Sequence, residues 1–100
     1  MNSIDKNRYI QLGLKIAYYR KLNGLTQENL AEKVKVSPGY LSQVETPSFV
    51  QPISLKVLFA FADVFKIPPY KLLDFDDEVW YLWKIEEPRF TFWSEVLFLF

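Results

Sequence analysis

The chain of 100 residues has no cysteine and no histidine. Without cysteine there is no disulfide framework, no thiolate zinc site and no cysteine nucleophile. Without histidine the usual general base, the serine–histidine triads and the commonest metal ligand are missing too. The first residues, Met1 to Lys6, lack a basic segment followed by an apolar run, so no secretory signal is expected. The apolar runs Val79–Trp83 and Val96–Phe100 are far shorter than the roughly 20 residues a membrane span needs. These absences point away from an enzyme, a metal or cofactor protein and a membrane protein. A cytoplasmic chain is expected. Its 50% hydrophobic content is enough for a real core and excludes wholesale disorder.

The formal net charge of zero hides an asymmetry. Residues 1–73 carry ten Lys/Arg against five Asp/Glu, and residues 74–100 carry two against seven. All three tryptophans, Trp80, Trp83 and Trp93, lie in the second part. So do Phe75, Phe90, Phe92, Phe98 and Phe100. A basic body of residues 1–73 and an acidic, aromatic extension of residues 74–100 suggest an anionic partner for one and a packing surface for the other.

Helical periodicity runs through the body. Tyr9, Leu12, Ile16 and Tyr19 recur at three- or four-residue spacing, which predicts a helix over residues 4–22 with that stripe turned inward. Asn23-Gly24 stops it, since both tolerate a left-handed C′ position. Thr26 is a good N-cap for a second helix over residues 27–34, with Leu30, Ala31 and Val34 inward. Ser37 caps a third helix with Pro38 in its first turn, where a missing N–H costs nothing, and that helix reaches Glu45. A loop bounded by Pro47 and Pro52 follows. A fourth helix over residues 54–65 is expected to bury Leu55, Leu58, Phe59 and Ala62, and a short fifth helix runs from Pro69 to Leu73. In the extension, polar residues share helical faces, which favours two short helices split at Pro88; the aromatic and β-branched content leaves a hairpin open.

Two short helices joined by a tight turn, with small Ala31 allowing close approach and Val36, Leu41 and Val44 plugging the gap, form a helix-turn-helix pattern. The residues Leu12-Gly13, Ile16, Arg20, Gly24, Leu25-Thr26-Gln27-Glu28, Leu30-Ala31, Val36-Ser37, Tyr40-Leu41-Ser42, Val44-Glu45, Leu58, Ala62 and Ile67–Leu73 together resemble the lambda-repressor-like (Cro/C1, XRE-type) DNA-binding domain over residues 9–73. The resemblance implies an all-α fold of five helices, carrying here an aromatic C-terminal extension. It also implies a sequence-specific regulator of transcription, a repressor by type, whose second motif helix enters the major groove of double-stranded DNA.

Site residues follow from the resemblance position by position. Gln27 matches a phosphate contact at a helix N-terminus. Ser37, Pro38, Gly39, Tyr40 and Gln43 match the groove-facing part of the recognition helix, and Ser42 is a weaker candidate beside them. Gln43 is the best base reader, because its amide pairs bidentately with adenine. Tyr40 has two roles open, a phosphate or sugar contact or packing back on the domain. Arg20 and Glu45 match a structural ion pair that fixes the helix angle. The loop after the recognition helix has no basic residue, so Ser48, Gln51 and backbone N–H groups would have to meet phosphate there. Lys15, Lys21, Lys33, Lys35 and Lys56 are the remaining charges of the body that could reach it. Few phosphate contacts imply a shallow salt dependence.

The extension is expected to form a partner surface, with Trp80, Trp83, Phe90, Phe92, Trp93, Leu97 and Phe100 at a homodimer interface or against a different protein. Folding back on the body is the third option. The acids Asp74, Asp76, Asp77 and Glu78 lack the glycine turn and ordered spacing of a calcium loop, and no metal site is expected there. A second class of function stays open: a protein-interaction module, such as an antitoxin or antagonist, that uses the extension to hold a partner protein.

Overall fold

Helix ends set the architecture. A computed structural model describes residues 3–75, with side chains from Asp5 onward. Four α-helices and one 3₁₀ segment follow in order: α1 Ser3–Leu22, α2 Gln27–Val34, α3 Pro38–Glu45, α4 Leu55–Phe65 and the 3₁₀ segment Pro69–Leu73. Among the described residues there is no strand. The expected fifth helix is thus a 3₁₀ segment. Five residues starting on Pro69 are too few for an α-helical ladder, and i to i+3 bonding is the usual form of such short pieces. The expectations for the extension beyond Phe75 lie outside the described residues.

Three helices start on the same device. Thr26, Ser37 and Ser54 sit in extended backbone, and each side-chain oxygen accepts from the backbone N–H three residues on. Each cap is worth about 1 kcal/mol.

Three helices also end alike. Gly24 takes φ +70, the Leu25 N–H donates to the Arg20 carbonyl and the Gly24 N–H donates to the Lys21 carbonyl. That is the paired closure of a Schellman turn. α2 and α4 close with the same two bonds around Lys35 (φ 62) and Lys66 (φ 58). A side chain in this left-handed region costs about 1 kcal/mol relative to glycine. The sequence carries none of the usual glycine or asparagine signal at these two ends.

The core is Leu12, Ile16, Leu30, Leu41, Phe61 and Leu72 with their neighbours from every element. Each large side chain so buried contributes about 1.5–3 kcal/mol. An aromatic contact joins α1 to α4, with Tyr19 against Phe65 at 5.7 Å between ring centroids, and within α4 Phe61 stacks on Phe65 at 6.2 Å.

Two expectations about burial change. In α1 the middle is buried on consecutive residues, Leu14, Lys15, Ile16, Ala17, Tyr18 and Tyr19, rather than along one stripe, and Tyr9 is only half-buried. The cause is that α3, α4 and the 3₁₀ segment all pack on α1. In α4 the buried set is Leu58, Phe61, Ala62 and Phe65, whereas Leu55 is 66% and Phe59 48% exposed. The sequence LKVLFAFADVF is apolar nearly all round, so two stripes at helical spacing were available and packing chose the second.

Lys15 is fully buried, and its Nζ donates to the Asp74 carbonyl. It is therefore not a charge for an external phosphate. The bond fastens the backbone just after the 3₁₀ segment to α1.

Candidate nucleic-acid interface

α3 presents its outer face to solvent. Ser37, Pro38, Gly39, Ser42 and Gln43 are exposed, while Leu41, Val44 and Glu45 point inward. The division follows from spacing: Leu41 and Val44 sit three apart on one side, and Gly39, Ser42 and Gln43 occupy the other. Ser37 is the N-cap, its Oγ accepting from the Tyr40 N–H. Ser48 is exposed and Gln51 half-buried in the loop that follows.

What holds this helix is a hydrogen-bonded cluster at its far end. Arg20 at the end of α1 donates from Nε to Glu45 Oε2 at 2.8 Å and from Nη2 to Glu45 Oε1 at 3.0 Å. Its Nη1 donates to the Leu25 carbonyl at 2.8 Å. Gln27 Nε2 donates to the same Glu45 Oε1 at 3.0 Å. One carboxylate, its side chain 4% exposed, therefore ties α1, the first turn of α2 and the last turn of α3 together. A buried ion pair contributes little net stability, since desolvation offsets attraction. Its consequence is angular: α3 is fixed relative to α2 by bonds at defined geometry.

A second tie comes from close packing. A Cβ built on Gly13 would lie 1.8 Å from the Val44 carbonyl oxygen, so α1 and α3 meet at a distance only glycine permits. An isolated glycine inside a helical run is the sequence signal for such an approach.

Two candidates turn out to have bonds within the domain. Gln27 supplies one amide proton to Glu45; of the first N–H groups of α2, that of Asn29 is taken by Thr26, and those of Gln27 and Glu28 have no partner within the helix. The Tyr40 hydroxyl donates to the Pro52 carbonyl at 3.1 Å and so pins the 46–54 loop to α3. This bond is of the packing kind, one of the two roles open to Tyr40. Burial raises its pKa above the usual tyrosine value. Sequence reasoning missed both bonds and the Arg20 bond to Leu25, because each joins residues by fold rather than by spacing.

Gly39 differs from Gly13. No atom lies within 4 Å of where its Cβ would stand, so nothing inside the described residues requires glycine there. Residues 36–55 contain no Lys or Arg, and the whole face is hydroxyl, amide and backbone. The candidates of the extension, Trp80, Trp83, Phe90, Phe92, Trp93, Leu97 and Phe100, lie outside the described residues. Among the described residues no helix is long and apolar enough to cross a membrane.

Comparison with curated proteins and with solved structures gives no match. Comparison with protein families matches residues 16–72 to the helix-turn-helix family. That stretch runs from the middle of α1 to the 3₁₀ segment and takes in the capped α2–α3 pair, the Arg20–Glu45–Gln27 cluster and α4. The chain belongs to the lambda-repressor-like (Cro/C1, XRE-type) helix-turn-helix family of DNA-binding regulators.

Proposed function

We propose that the chain is a dimeric repressor that reads a specific DNA site by placing α3 in the major groove. The observation that carries this reading is the outer face of α3, where Ser37, Pro38, Gly39, Ser42 and Gln43 are exposed, held at a fixed angle by Glu45. Gln43 is positioned as the base reader, since its amide offers a donor and an acceptor to the adenine edge. Ser37, Ser42, Ser48, Gln51 and the first N–H groups of α2 supply neutral phosphate contacts. Pro38 and Gly39 add no donor side chain, but they keep the helix start slim. A glycine in a helix costs about 0.5–1 kcal/mol relative to alanine, and at Gly39 no internal contact explains it. Close approach of DNA backbone does.

One such domain covers half of a two-fold site. Two copies with recognition helices about 34 Å apart would meet successive major grooves. Residues 1–73 then form the DNA-binding domain, and residues 74–100, acidic and rich in aromatics, form the dimerisation element. Repression follows from occupying the groove against polymerase.

The test is Gln43→Ala on a panel of singly substituted sites. The loss expected is about 1–3 kcal/mol on the preferred sequence, with discrimination relaxed at one base step and kept elsewhere. Equal loss on every sequence would remove Gln43 from base reading.

A second reading has its own support. A face without Lys or Arg over residues 36–55 is unusual for a surface meeting phosphate, and it favours an interaction module in which the extension binds a partner protein.

A further inference from the structure

A furrow runs between α2 and α4, lined by no residue of α3. Its floor is apolar: Val57, Ala60 and Val64 form one stripe of α4, opposite Leu25 and Val34. It opens into two hollows of about 370 and 520 Å³ that share Lys33 as a common wall. Those volumes suit groups the size of aromatic side chains or small ligands. Lys33, Lys35, Lys56 and Lys66 stand on the rims, all exposed, against one acid, Asp63.

Two of these lysines are where glycine would fit better. Lys35 and Lys66 are the only non-glycine residues at positive φ among those described, and both rim this furrow. Both close a helix with a left-handed turn, and both thereby set a charged side chain beside the furrow.

We propose that this furrow receives the acidic, aromatic segment 76–100 of a second copy of the chain, so that two copies exchange these segments. The proposal rests on the dimeric reading given above and assigns the surface that receives the extension. Charge complementarity is the first argument. Residues 76–100 hold six Asp/Glu and two Lys/Arg, and the furrow holds four lysines and one acid. An apolar floor between charged rims matches a segment in which acidic and aromatic blocks follow one another, as in Asp76-Asp77-Glu78 before Trp80-Tyr81.

Area is the second argument. The eight aromatics Trp80, Tyr81, Trp83, Phe90, Phe92, Trp93, Phe98 and Phe100 carry at least about 1,200 Å² of surface. A stable interface needs about 800 Å² per partner. Reciprocal exchange seats two segments in two furrows and so closes a two-fold assembly.

The experiment is a charge swap read by native mass spectrometry and sedimentation. One variant reverses the furrow (Lys33→Glu, Lys35→Glu, Lys56→Glu). The other reverses the segment (Asp76→Lys, Asp77→Lys, Glu78→Lys). Each alone should raise the dimer dissociation constant at least about tenfold, because like charges then face each other. An equimolar mixture should recover dimers containing one chain of each kind. The wild-type dimer should also loosen between low and high salt, a measurement that needs no variant.

Variants that dimerise like wild type overturn the proposal and leave the dimeric reading intact. Recovery only when both reversals share one chain overturns it in favour of the segment folding on its own body. A wild-type chain that is monomeric throughout the concentration range removes the dimeric reading itself.

Discussion

Gly13→Ala is expected to destabilise the domain by at least about 3 kcal/mol and to abolish tight DNA binding with it. Helix propensity alone predicts the opposite sign, since alanine in a helix interior is better than glycine by about 0.8–1 kcal/mol. The difference lies in one contact. The new methyl would stand 1.8 Å from the Val44 carbonyl oxygen and 3.0 Å from its carbon. These are backbone atoms in the last turn of α3, and no rotamer change relieves them. The helix must move away from α1, opening the core around Leu41 and Val44, both buried. Against a total stability of 5–15 kcal/mol typical of such domains, that is a large loss. Urea unfolding decides it: a lower midpoint is expected, and a midpoint at or above wild type would mean that α1 and α3 do not meet as described.

Glu45→Ala is expected to cost about 3 kcal/mol, although the ion pair it belongs to adds little net stability. Glu45 accepts two bonds from Arg20 and one from Gln27. Removing it leaves a guanidinium that is 12% exposed with the Leu25 carbonyl as its remaining partner in this cluster. Breaking one side of a buried pair is what makes such sites sensitive. The double variant Arg20→Met with Glu45→Leu removes both charges and should recover most of the loss. DNA affinity should not recover with it, because the bonds that set the angle of α3 are gone. Loss of stability by Glu45→Ala within about 0.5 kcal/mol of zero, or full DNA binding by the double variant, would contradict this role.

How much of this could be read in advance depended on the kind of signal. Caps were legible: Thr26, Ser37 and Pro38 mark helix starts through local chemistry, and the structure puts α2 and α3 where those residues place them. The inward set Leu30, Ala31, Val34, Leu41 and Val44 was legible for the same reason, since polar residues interrupt it. The rotation of α4 was not. With apolar residues on nearly every side, Leu55 and Phe59 were as good as Phe61 and Phe65 until neighbours chose.

Lys15 was misread because a lysine in a sequence reads as surface. Here its stem is packed in the core and its ammonium meets the Asp74 carbonyl. The helix ends at Lys35 and Lys66 carry no glycine, so the left-handed turns there are visible only in the backbone. Arg20 and Glu45, 25 residues apart, were paired through family resemblance and not through spacing. The bond of Gln27 to Glu45 had no sequence signal, and for Tyr40 packing back was one of two open roles, without its Pro52 partner.

The central claim is that α3, with its neutral outer face, reads a specific duplex site as part of a two-fold assembly. Selection of binding sites by the 100-residue protein from random duplex DNA at moderate salt tests it most directly. The account predicts enrichment of a two-fold symmetric sequence whose half-sites lie about one helical turn apart, roughly 10 base pairs or a multiple. Recovery of no common sequence, by a protein that is folded, would contradict it and leave the partner-binding reading as the one the neutral face supports.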